Sequence, residues 1–178
     1  MRSDTPEIAG PLSGAEGYRF AIVYSRFNEP ITQSLRDAAS KALAEAGTAM
    51  SDVEVVSVPG AFELPQAARC LAETGRFDAV ICLGCVIRGE TPHFEYISAS
   101  AAQGLMSAAG DTGVPMAFGV LTTDTEAQAR ERAGSGADNK GREAAATAIE
   151  MATLFRRFGR PPAKATARPF GFSTGGER

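Results

Sequence analysis

Histidine is almost missing from this 178-residue chain, where His93 stands alone. Cysteine is scarce too: Cys70, Cys82 and Cys85 are the only three. That count gives no disulfide framework. Cys82 and Cys85 have CxxC spacing, but they lie inside an apolar run that reads as a strand. An odd spacing on a strand sends two side chains to opposite faces. Small buried side chains are therefore the better reading, and metal or redox work is not expected. No apolar run reaches membrane-spanning length, and no signal-peptide h-region is read at the N-terminus. A soluble, cytoplasmic protein with no membrane partner is expected. An excess of basic charge is missing as well. The formal net charge is −3, and six basic residues against one acid from Arg156 onward leave the rest more acidic still. A nucleic-acid binder needs a basic face, so no nucleic-acid partner is expected; the basic tail reads as solvated.

Two further absences narrow the chemistry. No serine, cysteine or lysine stands out as an activated nucleophile, so an enzyme of this sequence would take its nucleophile from a substrate. The end of the first predicted strand, Ser25-Arg26-Phe27-Asn28, lacks the paired acids of a phospho-receiver. It also lacks the hydroxyl- and glycine-rich phosphate loop of a flavodoxin.

What is present alternates strand and helix. At 44% hydrophobic residues the chain can fill one core. Met1–Gly17, with Pro6, Gly10, Pro11, Gly14 and Gly17, has no core-forming pattern and reads as an arm. Strands are predicted at Arg19–Ser25, Val53–Val58, Asp78–Cys85 and Pro115–Leu121. Helices are predicted from Pro30 to Ala46, from the Pro59–Pro65 turn to Thr74, from Pro92 to Ala109, from an Asp124 cap to Ala133, and from Asp138 to Phe155. The first helix is expected to bury Ile31, Leu35, Ala38, Ala42 and Ala46, and the last Ala145, Ile149 and Leu154. Gly159 onward has tail composition. The organisation is thus an arm (1–17), one domain (18–158) and a basic Pro/Gly-rich tail (159–178). Strict alternation implies an α/β fold, a three-layer αβα arrangement with a four-stranded parallel sheet in flavodoxin-like order. Two sheet edges then need covering, and an arm from a neighbouring subunit is one way to do it.

The chain is organised around Gly84–Tyr96. The preceding run is apolar almost throughout, as a strand buried on both faces requires. Thr91 reads as an N-cap and Pro92 as the first helical residue, which puts His93 in the first turn. A helix start offers backbone N–H groups to an anion, and ligands in such sheets bind beyond the carboxyl ends of the strands. Each rim residue has two readings. Phe27 either stacks on a flat ring or plugs a helix end. Glu63 either accepts from ligand hydroxyls or complements the helix dipole. Arg88 is more often a surface ion-pair partner than a ligand contact. Gly89 serves either a tight turn or a close ligand approach. Arg132 and Lys140, beside the Gly134–Gly136 break, are by base rate solvated. His93, beside an anion site, is suited to moving protons near neutral pH.

Taken together, five segments resemble lumazine synthase, an enzyme of riboflavin synthesis. They are Ser25–Asn28 with Ile31-Thr32; Val58–Pro65; Gly84–Tyr96; Phe118–Thr123; and Arg130–Gly134 with Asn139-Lys140-Gly141. They follow the family's order and span Tyr18 to Phe158. The resemblance implies condensation of 5-amino-6-(D-ribitylamino)uracil with 3,4-dihydroxy-2-butanone 4-phosphate, with loss of phosphate and water. The nucleophile is then the pyrimidine's own amine, and no metal or organic cofactor is implied. By matching position, Phe27 stacks on the pyrimidine; Asn28 and the backbone at Gly60, Ala61 and Phe62 orient it; Glu63 holds the ribityl hydroxyls. Val86 and Ile87 line the site, and Gly89, Glu90 and Thr91 form the phosphate loop. His93 transfers protons. Phe118, Arg132 and Lys140 come from a neighbouring subunit, Arg132 pairing with phosphate. The family forms pentamers, and the short Gly134–Lys140 segment favours closure of twelve pentamers into a sixty-subunit shell. Riboflavin synthase is a further partner that the resemblance admits. Asp138 stands where the family often has glycine. The alternative is a non-catalytic flavin- or lumazine-binding, cage-forming homologue.

Overall fold

The computed structural model describes residues 12–160. In chain order they form β1 (Phe20–Ser25), α1 (Glu29–Glu45), β2 (Val53–Val58), α2 (Leu64–Glu73), β3 (Ala79–Ile87), α3 (His93–Thr112), β4 (Met116–Thr123), α4 (Glu126–Arg132) and α5 (Lys140–Phe158). All strand pairs are parallel, in the order β2-β1-β3-β4. The expected three-layer αβα, flavodoxin-like architecture is what forms.

The central strand explains the layering. β3 is buried from Ala79 to Cys85 without interruption, because each face of the sheet carries its own core. On one face Phe20, Ile22, Ile81 and Leu83 pack with Leu35 and Leu43 of α1 and Ala145 and Ile149 of α5. On the other Ala21, Val23, Val80 and Cys82 pack with Leu64 and Ala68 of α2 and Leu105 of α3. Cys82 and Cys85 fall in different clusters, as their odd spacing requires. Burial raises both thiols, Cys85 to about 11. With so little thiolate at neutral pH they are inert packing groups.

Several boundaries differ from the sequence reading, each for a local reason. α1 buries Ala39 rather than Ala38, and Ala38 is half-buried. α5 runs on to Phe158 and buries Ala152, leaving Leu154 exposed. It is capped by Asn139, whose side chain accepts from Gly141 N at 2.8 Å. α4 is capped by Thr125, not Asp124: Thr125 and Gln128 form a reciprocal capping box. α3 begins at His93 with Pro92 as N-cap, so Thr91 lies outside the helix.

The arm's first eleven residues and the tail beyond residue 160 lie outside the described residues. The described part of the arm does reach the core: Ala15 is fully buried and its N–H donates to Ala46 O at 3.0 Å. At this end of the sheet, opposite the strands' carboxyl ends, Asp78 gathers the chain. It accepts from Arg19 N at 2.9 Å, Arg156 Nη2 at 2.9 Å and Arg160 Nη2 at 2.9 Å. Arg156 also stacks 3.5 Å over the Tyr18 ring. Burial pushes the Asp78 carboxyl up, but the Arg156 and Arg19 hydrogen bonds and the two guanidinium charges outweigh it, holding the pKa below the ordinary 3.8. A depressed carboxyl contributes stability that is present above its unfolded pKa and lost as pH falls through the folded one. Asp78→Asn should therefore cost about 1–2 kcal/mol at neutral pH. The deficit should shrink below about pH 4. Urea unfolding at pH 7 and pH 3 checks this, and an equal deficit at both would assign the loss to hydrogen-bond geometry instead of charge.

Candidate active site

Because β2, β1 and β3 are neighbours, their carboxyl ends make one continuous rim. After β1 the chain turns at Asn28, the one non-glycine described residue with a left-handed backbone (φ 59°, ψ 44°). Asparagine tolerates that region better than most residues. Its Nδ2 donates to Cys85 O of β3 at 3.0 Å. This bond fixes the β1 loop against β3 and leaves Phe27 displayed, 70% exposed. The turn is also tied to the end of β2, since Arg26 N donates to Val58 O at 2.8 Å and Phe27 N to Pro59 O at 3.1 Å.

Beyond β2, Ala61–Glu63 form a single 3-10 turn leading into α2. Glu63 Oε2 accepts from Gly60 N at 2.9 Å. That oxygen closes the turn, and Oε1 has no protein partner among the described residues. Ala61 is buried, whereas Phe62 is half exposed. Gly84 of β3 gives this approach room, because a Cβ there would sit 3.1 Å from Leu64 Cδ1 and 3.3 Å from Val120 Cγ1, and both side chains would have to give way slightly.

β3 ends with Val86 and Ile87 half-buried, and Gly89, Glu90, Thr91 and His93 follow, all exposed. Gly89 has no positive φ, and a Cβ there would meet nothing within 4 Å. Neither a turn nor packing within the chain demands glycine at that position. Thr91, not spent as a cap, has its hydroxyl open, and His93 makes no hydrogen bond among the described residues. The loop is anchored by Arg88. Its Nε donates to Asp124 Oδ1 at 2.7 Å, its Nη1 pairs with Glu95, and its guanidinium lies 4.2 Å over the Phe94 ring. The Asp124 hydrogen bond and then the Glu95 one raise the Arg88 pKa, and Arg88 in turn holds the Glu95 carboxyl low. Arg88 is the surface ion-pair partner that its residue type suggested. Asp124, read from sequence as a helix cap, is its counter-ion.

The remaining site candidates lie elsewhere. β4 is the edge strand beyond β3. Phe118 of β4, Arg132 at the end of α4 and Lys140 at the start of α5 line a cavity of about 430 Å³ along that edge, together with Glu143, Ala144 and Thr147. Phe27, Glu63 and His93 do not line it. The sequence reading took Arg132 and Lys140, by base rate, as solvated charges. For Lys140 that is corrected: its Nζ lies 2.6 and 2.8 Å from the two carboxylate oxygens of Glu143. Glu143 was missed, although its spacing of three from Lys140 on a predicted helix could have found it. Among the described residues no cluster of His, Cys, Asp and Glu is placed to hold a metal ion.

The chain therefore carries two polar surfaces. One displays an aromatic ring, an amide, a carboxylate and a histidine beside a bare backbone loop. The other displays a second aromatic ring with two cations. A family model described as 6,7-dimethyl-8-ribityllumazine synthase matches residues 17–156. A protein of that name from Syntrophus aciditrophicus (strain SB) is 58% identical over 143 residues, covering 80% of this chain and 93% of the relative. Another from Salinibacter ruber (strain DSM 13855 / M31) is 56% identical over 139 residues, covering 78% and 89%.

Proposed function

The chain belongs to the 6,7-dimethyl-8-ribityllumazine synthase family, and from that premise we propose that its two polar surfaces are halves of one active site closed between neighbouring copies. The protein is a transferase of riboflavin biosynthesis that condenses 5-amino-6-(D-ribitylamino)uracil with 3,4-dihydroxy-2-butanone 4-phosphate. The observation that carries the shared-site reading is that Phe118, Arg132 and Lys140 line a cavity on edge strand β4 that Phe27, Glu63 and His93 do not line.

In this reading Phe27 stacks on the pyrimidine, Asn28 and the Gly60–Phe62 backbone fix its orientation, and Glu63 Oε1 accepts from the ribityl hydroxyls. Val86 and Ile87 form the apolar floor. The Gly89–Thr91 loop, bare of side-chain crowding at Gly89, takes the phosphate with its backbone N–H groups and the Thr91 hydroxyl. A neighbour's Arg132 closes over that phosphate as a planar donor fork. The pyrimidine amine attacks the ketone carbon and expels one water to give an imine; phosphate is eliminated, the ribityl-bearing nitrogen closes the ring on the second carbonyl, and a second water is lost. His93 accepts and returns the protons of these steps. Most of the rate gain comes from holding two substrates in register.

A surface that meets a different surface on the next copy closes into a ring when the rotation between copies divides a full turn. We assign that ring as a pentamer, and the short Gly134–Lys140 segment favours a shell of twelve. Riboflavin synthase, which consumes the product, is the natural partner of such an assembly. No helix among the described residues is long and apolar enough to cross a membrane; a cytoplasmic setting is part of the same proposal.

The test follows the fluorescent lumazine formed from both substrates, against a no-enzyme blank. His93→Ala should lower kcat by about 100-fold while the protein remains folded. Wild-type turnover no faster than the blank would favour a binding or cage-forming homologue. A His93→Ala rate equal to wild type would remove His93 from the chemistry.

A further inference from the structure

We propose that Glu143 is a positioning residue that holds Lys140 aside, so that Arg132 alone meets the phosphate in the edge cavity. This rests on the reading of that cavity as the phosphate-closing half of the site. Three charged side chains line it, Arg132, Lys140 and Glu143. Two of them are already paired. Both Glu143 oxygens lie within 2.8 Å of the Lys140 ammonium, and the two side chains are only 31% and 32% exposed. The first turn of α5 that carries them is held firmly. Asn139 Oδ1 caps it, Asn139 Nδ2 donates to Gly134 O at 2.7 Å, and Gly141 sits against the α1 backbone.

Arg132 is in the opposite condition. It is exposed, it donates one hydrogen bond from Nη1 to Gln128 O at 3.1 Å, and it forms no ion pair among the described residues. The cavity thus carries two cations and one anion, with its uncompensated positive charge on Arg132. A rigid guanidinium suits a phosphate monoester, whereas an uncommitted ammonium would add a mobile second charge. Inorganic phosphate shares the chemistry of the monoester, so a second unpaired cation would slow product release as much as it aided capture. Glu143 prevents that through Lys140. A purely local role for Glu143, completing the first turn of α5, would alter stability and leave phosphate affinity untouched.

Inorganic phosphate as a competitive inhibitor of the intact enzyme provides the test. In Glu143→Gln the ammonium is released, and the inhibition constant for phosphate should fall about fivefold at low salt and less at high salt. KM for the butanone phosphate should fall in parallel. In Glu143→Gln/Lys140→Met the tightening should vanish relative to Lys140→Met. An unchanged or weaker phosphate affinity in Glu143→Gln overturns the proposal, as does tightening that survives in the double variant. Arg132→Ala separates the two levels. If it does not weaken phosphate inhibition, the cavity is not the phosphate site and the underlying reading falls. If it does weaken inhibition while Glu143→Gln changes nothing, this inference alone falls.

Discussion

Gly141→Ala is expected to unfold the domain or leave it barely stable. A Cβ at Gly141 would lie 2.0 Å from Leu35 O, 2.6 Å from Leu35 C and 2.8 Å from Leu35 Cα. These are backbone atoms in the middle of α1, so no rotamer change relieves the clash. The two helices would have to separate, and Leu35 and Ala145, both fully buried in the same core, would lose their contact. Overpacking that shifts backbone costs about 3 kcal/mol or more. That is a large share of a typical domain stability of about 5–15 kcal/mol. Gly119 makes a useful contrast. Its Cβ would meet Leu83 Cδ2 at 2.5 Å, Ala144 Cβ at 3.0 Å and Cys82 O at 3.2 Å; the shortest contact is the far end of a side chain that can move, and the backbone contact is more than 1 Å longer than at Gly141. Thermal and urea unfolding of Gly141→Ala decide the matter; a loss under about 1 kcal/mol would mean that α1 and α5 do not approach so closely. The variant bears on function as well, because Lys140 and the Glu143 that holds it share this turn.

Much of this was legible in the sequence, for identifiable reasons. β3 declared itself because burial on both faces leaves no room for alternation, and Ala79–Cys85 are apolar or glycine throughout. Strand-helix alternation then left few topologies, and the observed order β2-β1-β3-β4 is among them. The positions of Phe27, Glu63 and His93 after the carboxyl ends of β1, β2 and β3 were legible from the same alternation, and such loops are where these folds bind ligands. Other features were not. Ala38 and Ala39 are equally apolar, and only the rotation of α1 against α5 decides that Ala39 goes inside. Ala15 looked like arm, since one alanine among prolines and glycines makes no pattern; its burial depends on the Ala46 carbonyl, thirty-one positions away. Asp124 and Thr125 are both good caps, and the choice went to the one with Gln128 three residues on, which released Asp124 to Arg88. Pairings of this kind are set by tertiary geometry, and a residue pattern alone does not contain them.

Mixing His93→Ala with Arg132→Ala protein is expected to restore activity that neither variant has alone. Each Arg132→Ala subunit still carries an intact β2-β1-β3 rim, and each His93→Ala subunit an intact β4-edge cavity. If the site is closed between copies, a wild-type rim can meet a wild-type cavity at some interfaces of a mixed ring. With equal amounts assembled at random, half the rims and half the cavities are intact. About one quarter of the interfaces should then be complete, and activity should approach one quarter of wild type. A site contained within one chain gives a different result, since every subunit then carries one defect and no arrangement repairs it. Activity would stay at the mean of the two variants. The geometry favours restoration: Phe118, Arg132 and Lys140 line a cavity on the outer edge of β4 that Phe27, Glu63 and His93 do not line. Subunits must be dissociated and reassembled together, or coexpressed, since mixing preformed assemblies leaves the old interfaces intact. Restoration that appears only after such exchange would tie catalysis to the assembly itself, and dilution below the association threshold should then abolish turnover without unfolding the chain.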